Sequence, residues 1–480
     1  MRKLTAFLLV NLFLLTTLNV SVLAQTRRQN EAKQADVLIR NATVMTAVNG
    51  TLANTDILIQ NGKIARIGKN LKASSNANVI DATGKFVTPG IIDCHSHTMM
   101  SGGVNEGSYA ITSMVRTRDI LDPTDISIYR GLAGGVTAAN LLHGSANVIG
   151  GLNTTVKFKW GHPVEDYPIA DAPPGIKFAL GENPKRVGLS TTPGRPSRYP
   201  VTRMGEMEAI RDAFMRARDY KKSWDDYRAR VAKNDKTAVP PRRNLELEPL
   251  AEVLEGRRLV HAHGYRSDEH LNLLLIADEF GFRVGTLQHA LEAYKIAPEI
   301  AKRGTGASIF ADSWGYKIEA FDSIPYNGYI LWKNGVNVSI NSDSDERMRR
   351  LNLDAAKMMR YGGVPEEESL KMITLNPAKQ LGIDKRTGSI EVGKDADIVI
   401  WNVHPFSVYS HAEITMIEGE VLFDRAKDLL NRANLAKERE TLEKMDVNRA
   451  PASGGTQPRI PSEKRQADRD EADGRDGGNQ

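Results

Sequence analysis

Near both ends of the chain apolar and polar positions alternate in short runs, whereas the long middle mixes apolar runs with helical spacing. "ADVLIRNATVMTA", "DILIQNGKIARIG" and "VIDATGKFVTPG" have the period of two expected of strands, and Asn-Gly and Gly interrupt them as in β-hairpins. "GSIEVGKDADIVIWN" and "AEITMIEGEVLFD" repeat that pattern late in the sequence. Together they predict a small β-sandwich domain assembled from residues 25–88 and 386–424, with the middle inserted between its halves.

Residues 89–385 read as strands alternating with helices. Apolar runs end at 93–97, 136–144, 154–160, 175–184, 257–264, 283–289, 306–312 and 337–343. That number suits a (β/α)8 TIM-like barrel, a fold of about 250 residues with parallel strands. The later connections, "SDEHLNLLLIADEFG" and "LEAYKIAPEIAKRG", have helical spacing and end in Gly. Those between the second and fourth runs are short for full helices. Residues 200–256 form a polar, mostly helical insertion that suits a lid, a substrate wall or a subunit contact. Residues 425–480 read as a charged helical stretch followed by a disordered tail.

Composition narrows the classes. The chain has 480 residues, 41% of them hydrophobic, and a formal charge of +5 with acidic and basic residues interspersed. No nucleic-acid footprint stands out. Residues 1–24 combine a basic start, an apolar run and small residues Val22 and Ala24 before Gln25, the pattern of a signal peptide. This predicts a periplasmic or secreted protein. Asn11, Thr16, Thr17 and Asn19 interrupt the apolar run, so a stable membrane anchor is not expected. Cys94 is the only cysteine, so no intrachain disulfide can form, and stability must come from packing, to which a metal could add.

The chemistry starts at "TPGIIDCHSHT". Side chains two apart on a strand share a face, so His95 and His97 can hold one metal ion. The other predicted strand ends supply Glu182, His261, His289 and Asp343, each a metal-ligand type. His263 shares a face with His261 and is its alternative. Lys157, with Lys159 behind it, is the alternative to Glu182; Lys177 is expected to lie too early on its strand to reach the rim.

With "VTPGIIDCHSH", "VHAH", "LQHA", "SINSDSD" and the closing "ITLNPAKQLGIDKRTGSIEVGKDADIVIWN", the chain resembles the amidohydrolase superfamily, within it the imidazolonepropionase-like branch, from Ala35 to Asp424. The resemblance matches His95 and His97 to the strand-one pair, His261 to strand five, His289 to strand six and Asp343 to strand eight. Many members bridge two metals with a carboxylated lysine on strand four; here Glu182 is the expected ligand and Lys157 the alternative. One or two Zn2+ ions are implied, with iron or manganese as substitutes. The implied reaction is hydrolysis of a non-ester C–N bond in a small amide, cyclic amide or peptide-like molecule. Asp343 would act as general base, His289 would support the oxyanion, and Asp93 would orient an imidazole. Tyr265, Arg266 and His143 are candidate substrate contacts, with Asn153, Trp314 and Tyr316 near the rim. Rival readings are a heterocycle deaminase and a catalytically inactive exported binding protein. A homo-oligomer is compatible with every reading.

Overall fold

The computed structural model describes residues 35–446, apart from 189–193, 195–196 and 316. The expected signal peptide, the tail beyond 446 and Tyr316 lie outside the described residues. The fold is mixed α/β. Its first strands are β1 (Val37–Met45), β2 (Thr51–Gln60), β3 (Lys63–Gly68), β4 (Asn78–Asp81) and β5 (Phe86–Pro89). The middle carries β6 (Ile91–Ser96), β7 (Val136–Leu141), β8 (Ile149–Leu152), β9 (Thr154–Lys157) and β10 (Gly175–Ala179). It continues with β11 (Leu259–His263), β12 (Val284–Gln288), β13 (Gly306–Ile309) and β14 (Val338–Ile340), before β15 (Ile398–Trp401), β16 (Ala412–Ile417) and β17 (Glu420–Asp424).

Strands from the two ends share one eight-stranded sheet, ordered β17-β16-β15-β5-β1-β2-β3 with β4 also paired to β1. Its hairpins follow from local chemistry. Asn61 and Gly62 both have positive φ, as the two-residue turn between β2 and β3 requires, and Glu418 and Gly419 do the same between β16 and β17. The two turns touch: a Cβ on Gly62 would lie 2.9 Å from the Glu418 carbonyl oxygen. Ile39, Val44, Ile57, Val87, Ile398 and Met416 bury the apolar face.

In the middle, β10 to β14 run parallel in a sheet ordered β14-β13-β12-β11-β10-β8, and β6 and β7 run parallel in a second sheet with β9. The run at 154–160 was expected as a parallel strand, yet β9 is antiparallel to β7, and β8, which was not expected, is antiparallel to β10. A parallel return needs a crossover of about a dozen residues or more, and the segments separating β7, β8 and β9 are shorter than that, so the chain reverses instead. In the insertion, a 30-residue helix, Arg203–Ala232, is capped by Thr202, whose side chain accepts from Gly205 N. Met207, Ile210, Phe214 and Ala217 form its buried stripe, and Phe214 stacks on Phe282 at 4.3 Å. Among the described residues no helix is long and apolar enough to cross a membrane.

Reversal of β9 decides the fate of Lys157. Its partner in register is Ala138, near the start of β7, so it lies away from the strand ends that carry the histidines. The Lys157 side chain is 2% exposed, and its Nζ bonds Asp395 at 2.7 Å, Asp397 at 3.0 Å and Glu418 at 3.0 Å, while Lys159 bonds Glu418 at 2.8 Å. The expectation of Lys157 as a bridging ligand is therefore corrected: it joins the middle of the fold to the terminal sheet. Burial alone would raise the pKa of Asp395, but Lys157, Lys63 and Arg386 hold it well below the usual carboxylate range. Lys157→Met should lower the unfolding free energy at neutral pH by about 3–5 kcal/mol, because buried carboxylates lose their partner. The sign follows from the depressed pKa: the contribution is complete above about pH 4 and fades as the pH falls further, so urea titrations of parent and variant should converge in acid.

Candidate metal centre

β6 points His95 inward, and His97 follows one residue beyond its end. β12 ends at Gln288 and β14 at Ile340; His289 (φ 58°) and Asp343 (φ 50°), just past those ends, take left-handed backbone. Such a conformation costs a non-glycine residue on the order of 1–3 kcal/mol, and it turns both side chains toward β6. The His95 and His289 rings lie 4.2 Å apart. Asp343 faces three imidazoles, with Oδ1 3.4 Å from His95 Nε2 and 3.2 Å from His97 Nε2, and Oδ2 3.4 Å from His289 Nε2. One ligand atom each from His95, His289 and Asp343 fall within 4.8 Å of one another, the only such group among the described residues.

The other ring nitrogens set the tautomers. His97 Nδ1 donates to the Leu142 carbonyl at 2.9 Å and His95 Nδ1 to Gln288 Oε1 at 3.2 Å, which in the neutral rings leaves lone pairs on both Nε2 atoms. Burial keeps His95 well below the usual histidine pKa and lowers His289 to about 3, with Asp343 opposing the shift at His289. Both nitrogens of His289, Nδ1 of His263 and Oδ1 of Asp343 are buried without a hydrogen-bond partner. Lone pairs facing a carboxylate are stabilised by a cation between them, so these residues fit a metal.

Two ligand expectations change. On β11, His263 lies beside His289, ring centres 4.9 Å apart, whereas His261 sits one pleat deeper, level with Lys177 and next to Gly175. Of the two, His263 is the β11 histidine whose ring packs against the cluster. On β10, Lys177 starts low on its strand, yet its Nζ lies 3.3 Å from His95 Nε2 and donates to the His143 carbonyl at 3.0 Å, against the expectation that it cannot reach the rim. The four-carbon side chain climbs the distance that counting backbone positions left open. Glu182 opens the helix Glu182–Gly188 beyond the strand, and its carboxylate accepts from Lys317 Nζ at 3.0 Å. It stays outside the cluster.

An amidohydrolase from Thermotoga maritima MSB8 superposes with a TM-score of 0.73 at 35% identity, over 81% of this chain and 100% of that one. The chain belongs to the amidohydrolase family. The sequence profile of the Amidohydrolase family matches residues 329–437. Amidohydrolase tasK of Hapsidospora irregularis is 33% identical over 84% of this chain, which spans only 45% of the length of tasK. An imidazolonepropionase of Thermoplasma volcanium is 25% identical over 78% of this chain and 92% of its own.

Around the cluster the remaining expectations divide. Tyr265 is buried, 4.8 Å from the His263 ring and stacked at 5.9 Å on His289. Arg266 turns away and pairs with Asp268 at 3.0 and 3.1 Å. His143 spends both ring nitrogens on backbone, on the Gly144 carbonyl and the Glu106 N–H at 2.8 Å each, and so fastens a loop. Asp93 accepts from the backbone N–H groups of His95 at 3.3 Å and Ser342 at 3.2 Å, and from the Ser342 hydroxyl; it orients strands, and Gln288 orients the His95 ring. Sequence reasoning passed over Gln288 and Lys317. Gln288 had a signal, since it precedes His289 in "LQHA"; Lys317, in an irregular loop, had none.

Adding Zn2+ to chelator-treated protein should raise the unfolding free energy, by about 2.7 kcal/mol at a free concentration 100 times Kd. His263→Ala and Asp343→Ala should abolish that gain, while His261→Ala and Glu182→Gln, each compared with its own metal-free form, should retain it. The reverse pattern at His261 and His263 would restore His261 as the strand-five ligand.

Proposed function

We propose that the protein is a metal-dependent hydrolase of non-ester C–N bonds, acting on a small amide, cyclic amide or peptide-like substrate. The observation that carries this reading is the convergence of imidazole lone pairs on Asp343. His95, His97, His263, His289 and Asp343 would hold zinc, with Lys177 beside them at His95. Mixed N/O donors of this kind suit zinc. A divalent ion so held supplies Lewis acidity, polarising a carbonyl and making water a usable nucleophile near neutral pH.

The chain's own residues then manage the proton. Asp343 takes it from water as the oxygen adds to the carbonyl carbon, and returns it to the nitrogen as the C–N bond breaks. His289, Tyr265 and Phe310 form a close ring-lined wall, with 4.7 Å between the His289 and Phe310 ring centres. Such a wall limits water and strengthens the electrostatic contacts of the oxyanion. The reading includes one (β/α)8-type barrel formed by the two middle sheets, with the β6 and β14 ends joined where Asp93 bonds Ser342. It also includes export, supported by the pattern of residues 1–24.

Metal-loaded protein should hydrolyse members of a panel of dipeptides, N-acyl amino acids and cyclic amides. Asp343→Asn should cut kcat by about 10²–10⁴-fold, the usual contribution of a general base. Ammonia release from heterocycles with no cleavage of the amide panel would replace this reading with deamination.

A further inference from the structure

Lys317 lies between β13 and the helix Asn327–Lys333, and its side chain is only 9% exposed. Its ammonium sits 4.3 Å from the centre of the Tyr265 ring, the ring that packs against both His263 and His289. The metal-facing cluster and this cation are thus one aromatic ring apart.

Two arginines close to the same rings are held by carboxylates of their own. Arg266 pairs with Asp268, and Arg347 is held by Asp312, Ser313 and Asp354. Lys317 faces Glu182 at 3.0 Å and Asn183 Oδ1 at 3.2 Å. Glu182 is 25% exposed and also lies 3.7 Å from Arg186, so it has somewhere to turn. Glu319 and Glu206, which line the same corner, are raised by burial to about 7 and about 8, so near neutrality neither carries a full charge to offset the ammonium.

We propose that Lys317 is a specificity-determining residue that anchors a carboxylate on the substrate, with Glu182 as the resident anion the substrate displaces. The substrate class becomes amides of the dipeptide or N-acyl amino acid type with a free carboxylate near the scissile bond. This rests on the hydrolase reading for the chemistry, but the anchor itself is a binding property.

The test measures binding of dipeptides and of their C-terminal amides by calorimetry, using metal-loaded Asp343→Asn protein so that turnover is slow. The free acid should bind about tenfold or more tightly than the amide, the scale of one charge-assisted contact. Lys317→Met should bring that ratio near one, and Lys317→Arg should keep most of it. Glu182→Gln should raise the ratio, because the competing carboxylate is gone. A merely structural Lys317–Glu182 pair would make Lys317→Met and Glu182→Gln change the ratio in the same direction, and that result, or an acid preference that survives Lys317→Met, overturns the anchor. Absence of acid-selective binding overturns it too. Turnover of the panel by the parent separates the two readings: acid-selective, Lys317-dependent binding without any cleavage refutes the hydrolase and leaves the anchor, whereas cleavage without acid preference does the opposite.

Discussion

Asp93 accepts the backbone N–H groups of His95 and Ser342 and thereby fastens the start of the β14 loop to β6. Everything in the site is built on that junction. It sets Asp343, one residue past Ser342, opposite the imidazoles of His95 and His97, and the Asp343 N–H donates in turn to the His95 carbonyl at 3.3 Å. Burial raises Asp93 to about 7, so the backbone and hydroxyl donors at the junction offset only part of the cost of ionising its carboxyl group.

The cluster combines features that would be unfavourable singly. Left-handed backbone at His289 and Asp343 is strained, both ring nitrogens of His289 and Nδ1 of His263 are buried without a hydrogen-bond partner, and the Lys177 ammonium is fully enclosed. Together they make a group of donors preorganised for a cation, with the polar interior around Cys94, Ser308, Ser339 and Asn341 hydrogen-bonded within itself. The strain is borne by a core whose strands are buried on both faces.

The terminal sheet supports this arrangement from the other side. Lys157 reaches from β9 to three carboxylates of the C-terminal segment, and the Trp401 indole N–H donates to Thr88 Oγ1 at 2.9 Å between β15 and β5. Chain ends more than 300 residues apart in sequence are thus held in one sheet, and the middle of the fold is anchored to both.

The sequence by itself determined the hairpins, since Asn61-Gly62 can adopt the positive φ values of a tight turn, and it determined which residue types gather at strand ends. His95, His97, His289 and Asp343 were legible because period-two alternation and strand ends are local properties. Tertiary structure decided the rest. Whether β9 runs parallel depends on room for a crossover, so Lys157 became a structural ion pair. Whether His261 or His263 joins the cluster depends on inter-strand register, which places one a pleat deeper than the other. Lys177 reaches His95 because a long side chain can climb the interior past two backbone positions, and Lys317 arrives from an irregular loop whose path no periodicity encodes. Local pattern specifies direction along a strand; only packing specifies depth, and metal sites are assembled by depth.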